Sequence, residues 1–339
     1  MELPEKPFLM FLAILFFYPW DSPQAVDYSE RPEVREFAAS LAETEGLKLA
    51  DLLSIFEQAE YKQNIINAIS RPAEKTLTWD EYQDIFLTET RIVSGRFFMK
   101  QHQKELDLAH QTYGVPPNII TAVIGVETMY GRHMGNYRVL DALTTLAFDY
   151  PPRAEFFRRQ LYEYFILVKE ENLEITDLKG SYAGAMGYGQ FIPSSYRHFA
   201  VDFDGDGKRD IWNNPVDAIG SVANYLSEHG WNKGQSIAVQ VNAGQVDATL
   251  FNVSLKPSST LGEFQKQGVD VTGHPDSEIS PMKLLGKKGN EYWLGFQNFY
   301  VITRYNHSKL YAMAVFQLGE ALKRRGNLIG QDEFTGSGN

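Results

Sequence analysis

The sequence predicts a mainly α protein of the α+β class, with a small antiparallel sheet inserted late in the chain. Three observations carry that expectation. Apolar residues recur at helical spacing through most of residues 31–229. Strand-like alternation replaces that spacing between residues 236 and 302. A helical stripe then returns at Ser308. With 339 residues, 43% of them hydrophobic, there is material for one large domain or two to three smaller ones.

Taken in order, Pro7 to Trp20 is nearly all apolar but shorter than the ~20 residues that cross a bilayer comfortably. It fits the hydrophobic stretch of an export signal, with Ser22-Pro23-Gln24-Ala25 as the cleavage region. An uncleaved anchor and a buried N-terminal helix are the alternatives. Arg31 to Glu45 sets Val34, Phe37, Ala38 and Leu41 on one helical face and stops at Gly46. A second helix runs from Leu47 to Ala59. Thr78, followed by Glu81, opens a short helix with a capping box. Thr90 to Tyr113 reads as one long helix, ended by Gly114 and Pro116. Asn118–Tyr130, Asp141–Phe148, Pro152–Glu170 and Pro215–His229 read as further helices, and Gly180–Gln190 as an irregular, glycine-rich run. Strands are expected at Ser236–Val241, Asp247–Leu255, Met282–Leu285 and Glu291–Ile302, with Lys287 to Asn290 as a hairpin turn. The helix from Ser308 to Arg325 buries Tyr311, Ala312, Val315, Phe316 and Leu318, and 330–339 is a polar tail.

Composition removes several functions. A net charge of -11 argues against a general nucleic-acid binder. The absence of cysteine excludes disulfides, thiolate metal sites, a cysteine nucleophile and a lipid-modified N-terminal Cys. The seven histidines show no zinc-binding spacing. There is no G-x-S-x-G, and no G-x-G-x-x-G follows a clear strand.

Four segments carry chemistry. Glu127 is the only acid in the apolar run from Asn118 to Gly131, and its helical neighbours Val123, Ile124, Tyr130 and Gly131 include no cation. A carboxyl group in such surroundings holds its proton more tightly and suits a general acid. Gly125 and Gly131 flank it, where a backbone or a ligand could come close. The bland alternative is a helix acid turned to water. The run from Gly180 to Tyr196 exposes backbone and offers Tyr182, Tyr188 and Tyr196 as stacking faces, with Ser181 and Gln190 as neutral hydrogen-bonding groups. That set suits an uncharged polymer; a tight structural loop is the alternative. Asp202, Asp204 and Asp206, followed by Gly207, match the start of a calcium-binding EF-hand loop. Lys208 would supply a carbonyl, Asp210 a water-mediated contact, and Asn213 stands where a bidentate Glu belongs; Asp217 is the natural substitute. A lone loop of this kind fits a structural clip, with Na⁺ as the alternative ion. Finally, Arg304, Tyr305, Asn306 and Tyr311 form a polar, aromatic patch at an expected strand-to-helix junction, which ordinary capping by Asn306 or Ser308 would also explain.

Together these segments resemble the lytic murein transglycosylase B family. The likeness rests on Gly125-Val-Glu-Thr128, the Gly180–Tyr196 run, the acidic loop with Pro215-Val-Asp-Ala-Ile-Gly220, and Thr303-Arg-Tyr-Asn306 in that order. It spans about residues 30 to 325. The resemblance implies a lysozyme-like core at 89–235 and 300–326, with a calcium loop at 202–217. It implies an N-terminal helical domain at 26–88, joined by 150–178, a small β-domain at 236–299, a signal or anchor segment at 1–25 and a tail at 327–339. It implies Glu127 as the single catalytic acid/base. Tyr82, Ser181, Met186, Gln190, Tyr225, Tyr305, Asn306 and Tyr311 would line the glycan cleft. Asp202, Asp204, Asp206, the Lys208 carbonyl and Asp217 would hold structural Ca²⁺, with no organic cofactor. One extra residue within Asn213-Asn214 separates this loop from the family pattern at the last ligand. The expected partner is peptidoglycan, with other cell-wall enzymes as further candidates, and the expected form is a periplasmic monomer without a lipid anchor.

The expected reaction cleaves the MurNAc-β-1,4-GlcNAc bond and forms 1,6-anhydro-MurNAc. A hydrolytic muramidase would instead need a second acid, for which Asp141, Asp149 and Asp202 are the candidates. A calcium-dependent peptidoglycan-binding scaffold would need none.

Overall fold

The computed structural model describes residues 27–70, 77–243 and 246–324. The apolar segment at 7–20 and the tail at 330–339 lie outside the described residues.

The fold is mainly helical. Helix α1 (Pro32–Glu45) has proline at its first position and ends at Gly46, whose φ of 64° is left-handed. Helices α2 (Leu49–Glu57) and α3 (Gln63–Ile69) follow. Helix α4 (Trp79–Phe86) has the expected capping box, with the Thr78 amide donating to Glu81 at 2.8 Å.

The long helix expected from Thr90 to Tyr113 is in fact two, α5 (Glu89–Gln101) and α6 (Gln103–Tyr113). His102 leaves the helical region at φ -113°, ψ 31°, and its ring packs on Phe98 at 4.6 Å. The break lets α5 and α6 each pack against α7 (Pro117–Thr128) from its own direction. Every residue of α7 from Asn118 to Thr128 is buried except Glu127.

Strand β1 (Tyr137–Arg138), α8 (Val139–Asp149), α9 (Ala154–Glu171), β2 (Lys179–Gly180), α10 (Pro193–Phe199) and α11 (Pro215–Glu228) come next. Strands β1 and β2 form a short antiparallel ribbon. Then come β3 (Ala238–Val241), β4 (Ser259–Thr260), α12 (Leu261–Lys266), β5 (Glu278–Gly286) and β6 (Gly289–Gly295), and the sheet order is β3-β6-β5-β4. Lys287 and Lys288 turn the β5–β6 hairpin between the paired Gly286 and Gly289. Helices α13 (Gln297–Tyr305) and α14 (Lys309–Lys323) end the described chain.

Two expected strands are corrected. Residues 247–255 hold a short 3-10 turn at Ala248–Leu250. The Asp247 carboxylate accepts both the amide and the hydroxyl of Thr249, a local bond that competes with a ladder. The strand expected from Glu291 to Ile302 stops at Gly295 and α13 begins at Gln297. Its β-branched and aromatic residues look strand-like, but Phe299, Ile302 and Thr303 are buried at helical spacing. Helix α12 had no counterpart in the sequence reading.

One large apolar cluster unites α1 to α11 with α13 and α14, and a smaller one lies within the late sheet region around Leu261, Phe264, Ile279 and Leu294.

Candidate active site and acidic loop

Packing of α7 against α14 sets the site. Glu127 lies in the last turn of α7, and Tyr311 in the first turn of α14. The Tyr311 hydroxyl donates to Glu127 Oε1 at 2.6 Å. Tyr305 stacks on Tyr311 with ring centres 6.3 Å apart and planes within 10°. The Tyr305 hydroxyl donates to the Gly189 carbonyl at 2.5 Å, which ties α13 to the glycine-rich run. Tyr225 of α11 packs on Tyr305 at 4.7 Å and donates to the Arg304 carbonyl at 2.6 Å. Burial, and then the nearby Glu127 charge, push the Tyr305 and Tyr311 hydroxyls well above the usual phenol range. Both phenols therefore stay protonated and act as donors.

The end of α7 is held from three sides. Met129 and Tyr130 are both left-handed, at φ 53° and 61°. Such a pair of non-glycine residues costs free energy and has to be held by its surroundings. Tyr130 donates to the Arg91 carbonyl at 2.9 Å, and Arg91 Nε donates to the Gly125 carbonyl at 3.1 Å. Thr128 Oγ1 lies 2.9 Å from the Tyr188 carbonyl, to which it donates, and accepts the Gly131 amide at 3.0 Å. Gly125 and Gly131 do give close approach, to tyrosine rings. A Cβ at Gly125 would lie 2.6 Å from the Tyr130 hydroxyl, and one at Gly131 would lie 2.2 Å from the Tyr188 ring. Arg91, Thr128 and Tyr130 were not singled out in the sequence. The only signal for them is Gly131 following a helix that has no glycine cap of its own.

The other expected cleft residues divide. Ser181 Oγ accepts the amides of Ala183 and Ala185 at 3.2 and 3.1 Å, so its hydrogen is the part left to offer a ligand. Gln190, at φ 51°, donates from Nε2 to the Met134 and Gly187 carbonyls at 3.1 and 3.0 Å, which leaves its carbonyl oxygen for other use. Asn306 is half-buried and ends α13, so its junction is helix-to-helix and not strand-to-helix. Met186 and Tyr82 lie deeper than the rest of the set, apart from Tyr311. At 0% and 2% exposed they belong to the core and support the site from behind. Met186 pairs its backbone with Phe191, and the Tyr82 ring packs on Trp79 and Phe86.

In the acidic loop, single carboxylate oxygens of Asp202, Asp204 and Asp217 lie within 4.8 Å of one another. Asp217, fully buried, accepts the amides of Phe203 and Asp210, each at 2.8 Å. Burial foremost, and the charges of Asp204 and Asp202, raise its pKa. Three hard oxygen donors, one of them the buried Asp217 carboxylate, suit Ca²⁺. Asp206 does not join that group; its Oδ1 accepts the Lys208 amide at 2.9 Å. The extra residue in Asn213-Asn214 does not displace Asp217. Asn213 bonds to Asp210, while Asn214 caps α11 and donates to Asp204 at 2.9 Å.

Comparison with known proteins gives this fold and site their class, a peptidoglycan-cleaving lyase. Residues 29–320 match the family described as "Transglycosylase SLT domain", and the chain belongs to that family. It is 41% identical over 317 residues to the membrane-bound lytic murein transglycosylase B of Escherichia coli K12, covering 87% of this chain and 84% of the relative. The soluble lytic transglycosylase SltB1 of Pseudomonas aeruginosa superposes with a TM-score of 0.82 at 46% identity, over 86% of this chain and 98% of that one. The E. coli lytic transglycosylase SLT35 in complex with calcium gives 0.80 at 41% identity, over 87% and 94%. SltB3 of P. aeruginosa in complex with NAG-anhNAM-pentapeptide gives 0.74 at 31% identity, over 86% and 79%.

Proposed function

We propose that this protein cuts the MurNAc-β-1,4-GlcNAc bond and closes a 1,6-anhydro ring on MurNAc, with Glu127 acting first as acid and then as base. The observation that carries the reading is the hydrogen bond from Tyr311 to Glu127. Protonated Glu127 gives its proton to the leaving oxygen as the C1–O bond breaks. The carboxylate that remains is stabilised by the Tyr311 hydroxyl, which holds its own proton. Positive charge at C1 is met by the 2-acetamido group of the same sugar or by the Glu127 carboxylate. Glu127 then takes the proton of the C6 hydroxyl while that oxygen bonds to C1. The attack is intramolecular and needs no positioned water. Ser181, Gln190 and Asn306 would hold sugar hydroxyls and the N-acetyl group, with Tyr225, Tyr305 and Tyr311 as the cleft wall.

The fate of the three other candidate acids supports this reading over hydrolysis. Asp141 is 1% exposed and bound by Arg138, with bonds of 2.8 Å to each oxygen. Asp149 accepts Tyr28 at 2.5 Å and Arg31 at 2.7 Å. Asp202 is occupied by the amides of Gly205, Asp206 and Gly207. Each already has a structural task.

Asp202, Asp204 and Asp217, with Asp206 and the Lys208 carbonyl as further donors, would hold Ca²⁺, which would neutralise the loop and fix it to α11. SLT35 in its calcium complex supports this assignment. The separate apolar cluster supports a small β-domain at 236–299. Among the described residues no helix is long and apolar enough to cross a membrane. A peptidoglycan substrate supports a periplasmic location.

Mass spectrometry of a digest of purified cell-wall sacculi tests the reaction. Products one water lighter than hydrolytic ones are expected; reducing ends would overturn the assignment in favour of a muramidase.

A further inference from the structure

We propose that a groove at the seam between the helices and the late sheet binds a second stretch of glycan strand, away from Glu127. The proposal rests on the peptidoglycan reading above. The groove has a volume of about 520 Å³ and lies between the end of α4, the second half of α14 and strands β3 and β6. A smaller hollow of about 340 Å³ continues it past Gln240 and Glu291 to the tip of the β5–β6 hairpin. Glu127, Tyr305, Asn306 and Tyr311 line neither of them. Glu320, which does, lies about 180° round α14 from Tyr311 and roughly 13 Å further along its axis. The groove therefore opens on the other side of that helix from the carboxylate.

Its floor is aromatic. Trp293 is buried and meets Phe316 edge-on, with ring centres 6.0 Å apart. Phe316 is half-buried, so part of its ring stays open. Gln240 stands opposite Trp293 in the β3–β6 ladder, which puts both side chains on one face of the sheet. Glu291 shares that face two residues earlier on β6, and its Oε2 accepts the indole N–H at 3.0 Å. That bond holds the indole in place.

Around the floor stand the side-chain amides of Gln83, Gln240 and Gln317. Among the described residues none of the three has a hydrogen-bond partner. The two carboxylates of the groove differ, because each is already engaged: Glu291 by Trp293, and Glu320 by Lys323 at 2.7 Å. Arg324 closes one end and Lys288 the other, and among the described residues neither is in an ion pair. A ligand is thus offered three neutral amides, an aromatic face and a cation at each end.

Each amide has two donors and an acceptor, the complement of sugar hydroxyls and N-acetyl groups. An aromatic face packs against the C–H face of a sugar ring, as it does against other apolar surface. The end cations suit the lactyl carboxylates that recur along a MurNAc strand without peptides. A nucleic acid would find only two cations in a chain of net charge -11. A second hold on the same polymer raises the local concentration of strand at the catalytic cleft, so it acts on KM for sacculi and not on kcat.

The test is co-sedimentation of the Glu127→Gln protein with purified sacculi, which that substitution leaves uncut. Adding Gln317→Ala and Arg324→Ala, with alanine well suited to a helix, should weaken binding about tenfold. Gln240→Glu sets a like charge against the lactyl carboxylates and should weaken it from the β3 side. In the active protein the Gln317→Ala, Arg324→Ala pair should raise KM for sacculi at unchanged kcat. Turnover of a soluble tetrasaccharide, too short to reach both places, should stay at the wild-type value. Unchanged sedimentation in both variants, or an equal loss on the tetrasaccharide, would overturn the proposal. Binding that depends on the groove but resists competition by peptide-free glycan strands would also overturn it, in favour of a protein partner. Digestion of sacculi reports separately on the reaction: absent anhydro products with groove-dependent sedimentation would sink the function reading and leave the groove standing.

Discussion

Tyr311 and Glu127 are 184 residues apart in sequence and 2.6 Å apart at the hydroxyl–carboxylate contact. The bond favours the carboxylate, the form that the proposed mechanism uses as base. Replacing Glu127 with Gln keeps the shape and removes the proton, so turnover should fall by roughly 10²-fold or more, while melting stays near wild type. Tyr311→Phe should lower the rate and move the alkaline limb of the pH–rate profile upward, because the carboxylate loses its donor. A Gln variant with wild-type turnover, or a Phe variant with an unmoved profile, would refute these roles.

Asp141 offers a direct check on the second-acid alternative. It ties α8 to Arg138 and to the Glu60 amide at 2.9 Å. Asp141→Asn should cost roughly 1–3 kcal/mol of stability, read from urea unfolding. The products of sacculus digestion should keep their mass. A shift of product type, or loss of activity in a folded variant, would give Asp141 a chemical task.

Much of this site could be read from the chain, and for specific reasons. Glu127 stands out because an acid within an apolar helical run is costly, and α7 does bury every other residue from Asn118 to Thr128. Gly46 and the Thr78–Glu81 capping box are local signals, and both ends fell where expected. Tyr130, Arg91 and Thr128 were missed because their partners are remote: the Arg91 carbonyl, the Gly125 carbonyl and the Tyr188 carbonyl. Helix α13 reads as a strand from sequence because Phe299, Val301 and Ile302 favour strands by type, while their helical burial depends on tertiary packing. Met186 enters the cleft set through the family resemblance alone, and its burial depends on how the glycine-rich run folds.

Calcium should act on stability more than on rate. Binding to the folded loop alone adds about 2.7 kcal/mol when free Ca²⁺ is a hundred times its Kd. Chelation should therefore lower the melting temperature, and Asp217→Asn should abolish the calcium-dependent part of that shift. Differential scanning calorimetry with and without chelator decides it. An unchanged melting temperature in wild type would remove the clip.

The pH dependence of stability follows from His229. Its ring stacks on Tyr225 at 4.0 Å, and Nδ1 lies 2.7 Å from the Tyr225 carbonyl. A carbonyl only accepts, so Nδ1 carries the hydrogen and a second proton must enter at Nε2. Burial foremost, with help from Arg304, holds the pKa of His229 below its ordinary value of 6.5, against the opposing effects of the Tyr225 bond and Glu228. His102 is lowered in the same way, by burial. Below pH 6.5 the unfolded chain therefore takes up protons that the folded one resists. The contribution is complete above pH 6.5 and is lost as the pH falls through the folded pKa values. Urea midpoints should drop between pH 7 and pH 5.5, and less so in His229→Gln, with the remainder due to His102. If the drop is identical in wild type and in a His102→Gln, His229→Gln double variant, neither histidine is the group responsible.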